Sequence, residues 1–151
     1  MTQDPKANAV LDAAQKRARE LGLPYAGALF PAEAYALMQA GARLVDIRTQ
    51  AELYWVGHIP GTVMVEWNSY PGGALNLEFI HQLSDFVDPD EITMFICRSG
   101  GRSHHAAIAA TQAGFRHCYN VLEGFEGDKG PQGHRNSVGG WRVAGLPWVQ
   151  S

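Results

Sequence analysis

Cysteine is scarce in this chain. Only Cys97 and Cys118 occur among 151 residues. Two are too few for a disulfide framework, and no Cys-x-x-Cys pair offers a zinc site. Six histidines are present, yet no spacing among them supports a metal. No apolar run approaches the ~20 residues of a membrane span. Charge is sparse too, at 18% of residues with a formal net charge of −3, so neither nucleic acid nor a membrane surface is expected as a partner. The opening MTQDPKANAV has no apolar signal core, and a cytoplasmic protein is expected. What is present is an ordinary globular composition, 46% hydrophobic, which bounds the chain to one domain of normal core size.

Residues 4–21 read as a helix. Asp4 can cap it, Pro5 suits its first turn, and Gly22 with Pro24 stops it. Its thin apolar stripe, Val10, Ala14, Ala18 and Leu21, leaves two readings: packing on its own domain, or an arm for a homodimer contact. We place an N-terminal helical extension at 1–24 and the main domain at 25–151. Pro31 opens a second helix, 32–40, closed by Gly41. Short, continuous apolar runs at 44–47, 63–65, 92–96 and 118–122 read as strands. Such runs suit a parallel sheet covered on both faces. Helical stretches at 51–54, 77–86 and 103–113 fall between them, which predicts α/β architecture with right-handed crossovers.

Open parallel sheets bind ligands beyond the carboxyl ends of their strands. Here those ends carry Asp46 and Arg48, then Glu66, Trp67 and Asn68, then Cys97, then Glu123, Gly124 and Phe125. The third end is the most informative. After the strand comes Cys97-Arg98-Ser99-Gly100-Gly101-Arg102-Ser103, and then an alanine-rich helix. Successive N–H groups in such a turn converge on an anion, a helix N-terminus adds partial positive charge, and two arginines add full charge. A thiol in that field is expected to ionise readily and act as a nucleophile.

The loop resembles the active-site loop of the rhodanese-like sulfurtransferases. Leu44-Val45-Asp46-Ile47-Arg48 is similar to that family's strand, Gly57-His58-Ile59-Pro60-Gly61-Thr62 to its GHIPGA turn, and 141–147 (WRVAGLP) to its closing segment. The resemblance covers about residues 28–148. It implies a five-stranded parallel sheet with helices on both faces. It also implies that Cys97 takes a sulfane sulfur from a small anionic donor such as thiosulfate. The resulting persulfide would pass that sulfur to a thiol or cyanide acceptor, with a sulfur-relay protein as a further partner. Arg98, Ser99, Gly100, Gly101, Arg102 and Ser103 would bind the substrate. No cofactor is implied beyond the covalent persulfide. Two alternatives stay open. A phosphatase or arsenate reductase on this fold carries His-Cys-x5-Arg, whereas here Ile96 precedes Cys-x4-Arg. A carrier or sensing module would hold sulfur without turnover.

The remaining candidates are less sharp. Asp46, Arg48 and Trp67 stand at strand ends as rim residues, with Asp46 and Arg48 expected chiefly to brace loops. His58 is expected to be structural, its ring hydrogen-bonded locally. His104 and His105 open the helix and are expected to face solvent. Cys118 is expected to be packed and inert. The glycine-rich stretch 124–140 reads as a long surface loop leaving the rim. Phe125, Glu126, His134 or Arg135 on it could shape substrate choice.

Overall fold

The computed structural model describes residues 4–150. Five strands, β1 (Gly27–Leu29), β2 (Arg43–Asp46), β3 (Val63–Met64), β4 (Thr93–Ile96) and β5 (Cys118–Val121), form one sheet in the order β1-β5-β4-β2-β3. Every pairing is parallel. Five helices connect or flank them: α1 (Pro5–Leu21), α2 (Pro31–Gln39), α3 (Gln50–Trp55), α4 (Phe79–Ser84) and α5 (Gly101–Gln112).

Successive strand residues point to opposite faces, and both faces are covered. Val45, Phe95 and Cys118 face one apolar layer with Phe79, Leu83, Ala106, Ala107 and Ala110 of α4 and α5. Leu44, Met94, Ile96, Tyr119 and Val121 face the other, with Leu11 and Ala14 of α1 and Ala34 and Leu37 of α2. This double burial is why the strands are apolar throughout rather than alternating. The apolar face of α1 thus packs on the sheet of its own chain. Asp4 caps it by accepting from the Lys6 amide at 2.9 Å, Pro5 opens it and Gly22 closes it in the left-handed region.

The strand β1 escaped the sequence reading. Gly-Ala-Leu is short and lacks the β-branched residues that mark strands. Its glycine is dictated by packing: a Cβ on Gly27 would sit 2.6 Å from the Tyr119 ring. Stretch 124–140 holds neither helix nor strand, as expected, but it is no free surface excursion. The Gly140 amide donates to Glu123 Oε1 at 2.9 Å, and the amides of Asn136 and Trp141 donate to the carbonyls of Glu126 and Gly124. Trp141, fully buried, anchors its end and donates Nε1–H to the Pro147 carbonyl at 2.8 Å.

Candidate active site

The strand β4 ends at Ile96, and Cys97 follows at the carboxyl edge of the sheet. The chain then turns through Gly100, whose φ of 106° lies in the left-handed region, where glycine carries no Cβ penalty. Helix α5 begins at Gly101 with no side-chain cap on its first turn. Its exposed N–H groups need partners, and the sulfur supplies one. Cys97 Sγ accepts from the amide of Gly100 at 3.2 Å and of Ser103 at 3.4 Å. Ser103 Oγ lies 3.3 Å away. Cys97 therefore takes the place a capping oxygen normally holds, and donors converge on the atom that would carry negative charge.

Ser103 is itself held. Its hydroxyl donates to Asn120 Oδ1 at 2.5 Å, and Asn120 Nδ2 donates to the Gly100 carbonyl at 3.2 Å. The alternation along β5 aims Asn120 at the α5 side, where Cys118 also points. Beyond it, the Tyr25 hydroxyl meets His104 Nδ1 at 2.8 Å. Burial raises the pKa of Tyr25, and the Asn120 side chain opposes that rise. His104 is thus half-buried and engaged, while His105 is exposed; solvent exposure was expected of both.

The back of the loop rests on the turn after β5. The amides of Phe125 and Glu126 donate to the carbonyls of Cys97 and Arg98 at 2.8 and 2.9 Å. Gly124, at φ 66°, permits this approach, because a Cβ there would fall 2.6 Å from the Cys97 and Arg98 carbonyl oxygens.

The two arginines of the loop differ. Arg102 is clamped by Glu52 through two hydrogen bonds of 2.8 Å. Glu52 reaches it because Thr49 and Glu52 form a capping box at the start of α3. Burial pushes the Glu52 pKa up, but the Arg102 hydrogen bonds and charge, helped by Thr49, win and hold it at about 2. The same bonds raise the pKa of Arg102. Arg98 is exposed and makes no ion pair or side-chain hydrogen bond among the described residues. Both arginines line a depression of about 510 Å³ with Glu52, Asn68 and Glu126, walled by Trp55 and Tyr70.

Several expected rim residues lie elsewhere. Asp46 and Arg48 are wholly buried. Arg48 donates Nε and Nη2 to the Asp46 carboxylate and Nη2 to the Gly57 carbonyl, and its guanidinium lies 4.1 Å from the Phe125 ring centre. They brace three segments and do not face the depression. Phe125, fully buried beneath Arg48, is absent from its wall for the same reason; its neighbour Glu126 takes that place. Trp67 packs edge-on against Phe79 at 5.1 Å. Arg135 donates to the Gly127 carbonyl, and His134 is exposed; neither lines the depression. The ring of His58 is not hydrogen-bonded at Nδ1. Its backbone does the structural work, pairing both ways with Val149 at 2.8 Å. Glu52, Trp55, Tyr70 and Asn120 were not singled out in the sequence. Only Glu52 left a signal there, the Thr-x-x-Glu spacing of a capping box.

Comparison with known proteins finds relatives for most of the chain. The profile of the Rhodanese-like domain matches residues 30–130. The chain is 32% identical over 99 residues to the thiosulfate sulfurtransferase GlpE of Pseudomonas entomophila, covering 64% of this chain and 78% of that one. It is 32% identical over 97 residues to Thiosulfate sulfurtransferase 18 of Arabidopsis thaliana, covering 62% and 71%. The crystal structure of Rv0390 from M. tuberculosis superposes with a TM-score of 0.77 at 41% identity, covering 84% of this chain and 99% of that one.

Proposed function

The chain belongs to the rhodanese-like family, and from that premise we propose that it is a sulfurtransferase working through a persulfide on Cys97. The observation that carries this reading is the sulfur itself, seated as the cap of α5 with the amides of Gly100 and Ser103 directed at it. In the first half-reaction the Cys97 thiolate attacks the sulfane sulfur of an anionic donor such as thiosulfate. The donor's sulfur–sulfur bond breaks, and the leaving group departs with the electron pair. The outer sulfur then carries the negative charge, and the loop N–H groups between Arg98 and Ser103 stabilise it, as preorganised donors do for developing anions. In the second half a thiol or cyanide attacks that outer sulfur and returns Cys97 to its thiolate. Such two-step covalent transfer gives ping-pong kinetics.

The arginines divide the work. Arg102, held by Glu52, keeps the loop in register. Arg98 is the cation free to meet the leaving anion. No cofactor enters this scheme. The test is intact mass after incubation with thiosulfate. One sulfur gained on Cys97 and removed by cyanide is the expected result. No gain, or a gain on Cys118, overturns the assignment.

A further inference from the structure

The depression reaches the Cys97 loop through Arg98 and Arg102, which line it. Its volume, about 510 Å³, falls within the roughly 300–1,000 Å³ of sites that hold drug-sized organic ligands. Its outer wall is aromatic. Trp55 at the end of α3 and Tyr70 on the loop after β3 stand edge to face, centres 6.0 Å apart. Each is 63% exposed, so beyond their contact with each other large apolar faces are held in water. Two such side chains together mark a place where an apolar body is covered.

The charges point the same way. The charged lining consists of Arg98, Arg102, Glu52 and Glu126. Arg102 is spent on Glu52 at 2.8 Å. Arg98 and Glu126 carry opposite charges on one rim, and Glu126 makes no ion pair among the described residues. The side-chain charges of the lining therefore cancel. A compact dianion gains no net field from these side chains, whereas a ligand with one negative group can place it on Arg98 and lay the rest of itself against the rings.

Resting on the sulfurtransferase reading above, we infer that the preferred sulfur donor is an organic monoanion with an apolar or aromatic body, selected by Trp55 and Tyr70 and anchored by Arg98. Benzenethiosulfonate is a suitable probe, because it presents the same reacting sulfur–sulfur bond as thiosulfate with a phenyl ring in place of one charged oxygen. The Cys97 thiolate attacks its terminal sulfur, the sulfur–sulfur bond breaks, and benzenesulfinate leaves with the electron pair. One negative charge ends on the persulfide and one on the sulfinate, so no proton or outside oxidant is needed.

The experiment compares kcat/KM for benzenethiosulfonate and thiosulfate, with cyanide as acceptor in both. We expect the wild type to favour the aryl donor by at least tenfold. The double variant Trp55→Ala/Tyr70→Ala should lower that ratio at least tenfold. Arg98→Gln should weaken both donors and leave the ratio in place. Equal preference in the wild type, or a ratio untouched by the double variant, overturns the inference. A second measurement needs no turnover: benzenesulfinate binding to the Cys97→Ser protein by calorimetry, with and without the two aromatic substitutions. If neither donor loads Cys97, the sulfurtransferase reading fails. The sulfinate titration then still decides the aromatic site, with binding lost on removing the rings supporting it and binding unchanged, or absent from the start, refuting it.

Discussion

The two ends of the sheet each hold one cysteine, and each is 1% exposed. Burial alone would make them alike. Cys97 lies past the carboxyl end of β4, where chain turns and the start of α5 direct N–H groups at its sulfur. Cys118 opens β5 at the amino end, in register with Thr93, about 13 Å back along the sheet at ~3.3 Å per residue. Its sulfur faces a carbonyl, that of Phe115 at 3.6 Å. Burial lifts its pKa to about 11 against a small opposing pull from Thr111. The polarity of the strands decides the difference. Carboxyl ends meet helix N-termini and their donors, while amino ends follow helix C-termini and their carbonyls.

The sharpest way to break the contrast is to remove the sulfur at the carboxyl end. Cys97→Ser should reduce persulfide formation to background while the fold survives, read by mass spectrometry and circular dichroism. Closing the space behind the loop should come next. A Cβ at Gly124 would lie 2.6 Å from the backbone of Cys97 and Arg98, so Gly124→Ala must displace the cradle. We expect at least a tenfold loss of transfer, with a stability cost of about 1–3 kcal/mol for the forced backbone, read by kinetics and urea unfolding.

A smaller effect follows from Glu52. Its folded pKa of about 2 lies below the 4.5 of a free glutamate side chain. The unfolded chain therefore binds the proton first on acidification. The clamp's stabilisation is present above pH 4.5 and drains away as pH falls toward 2. Glu52→Gln should flatten that acid limb in unfolding titrations and, by freeing Arg102, lower transfer several-fold. The smallest effect belongs to Cys118→Ala, whose transfer rate should stay within a few-fold of wild type. Its signature lies in alkali. With a folded pKa of about 11 against 9.0, wild type keeps this group's contribution below pH 9 and loses it as pH rises toward 11. The variant should lack that part of the alkaline decline.

The carboxyl-end loop was legible in the sequence because its chemistry is local. Seven consecutive residues hold the thiol, the glycine that turns the chain and the amide of Ser103. The alternation of apolar runs with helices likewise exposed the α/β order. What stayed hidden depends on residues far apart in the chain. Arg48 and Phe125 read as rim residues because each follows a strand, yet they stack on each other and are buried together. Trp55 and Tyr70 carried no signal, since their pairing is created by how α3 and the loop after β3 come to rest. The strand β1 was missed because three residues without β-branching hold their place through Tyr119 and α1 rather than through propensity.

The stack of Asp46, Arg48 and Phe125 bears on how the molecule breathes. A buried guanidinium stripped of its carboxylate is costly, on the order of 3–5 kcal/mol when one partner of such an ion pair is lost. Residues 46–48, the carbonyl at 57 and the turn at 124–126 are fastened to that one group. The turn in turn holds the carbonyls of Cys97 and Arg98. None of these segments can swing away singly without uncovering the charge. In amide hydrogen exchange, the N–H groups of Phe125 and Glu126 should therefore open in step with those of residues 46–48, as one cooperative unit. Cys97 would then sit on a floor that either stands whole or gives way all at once.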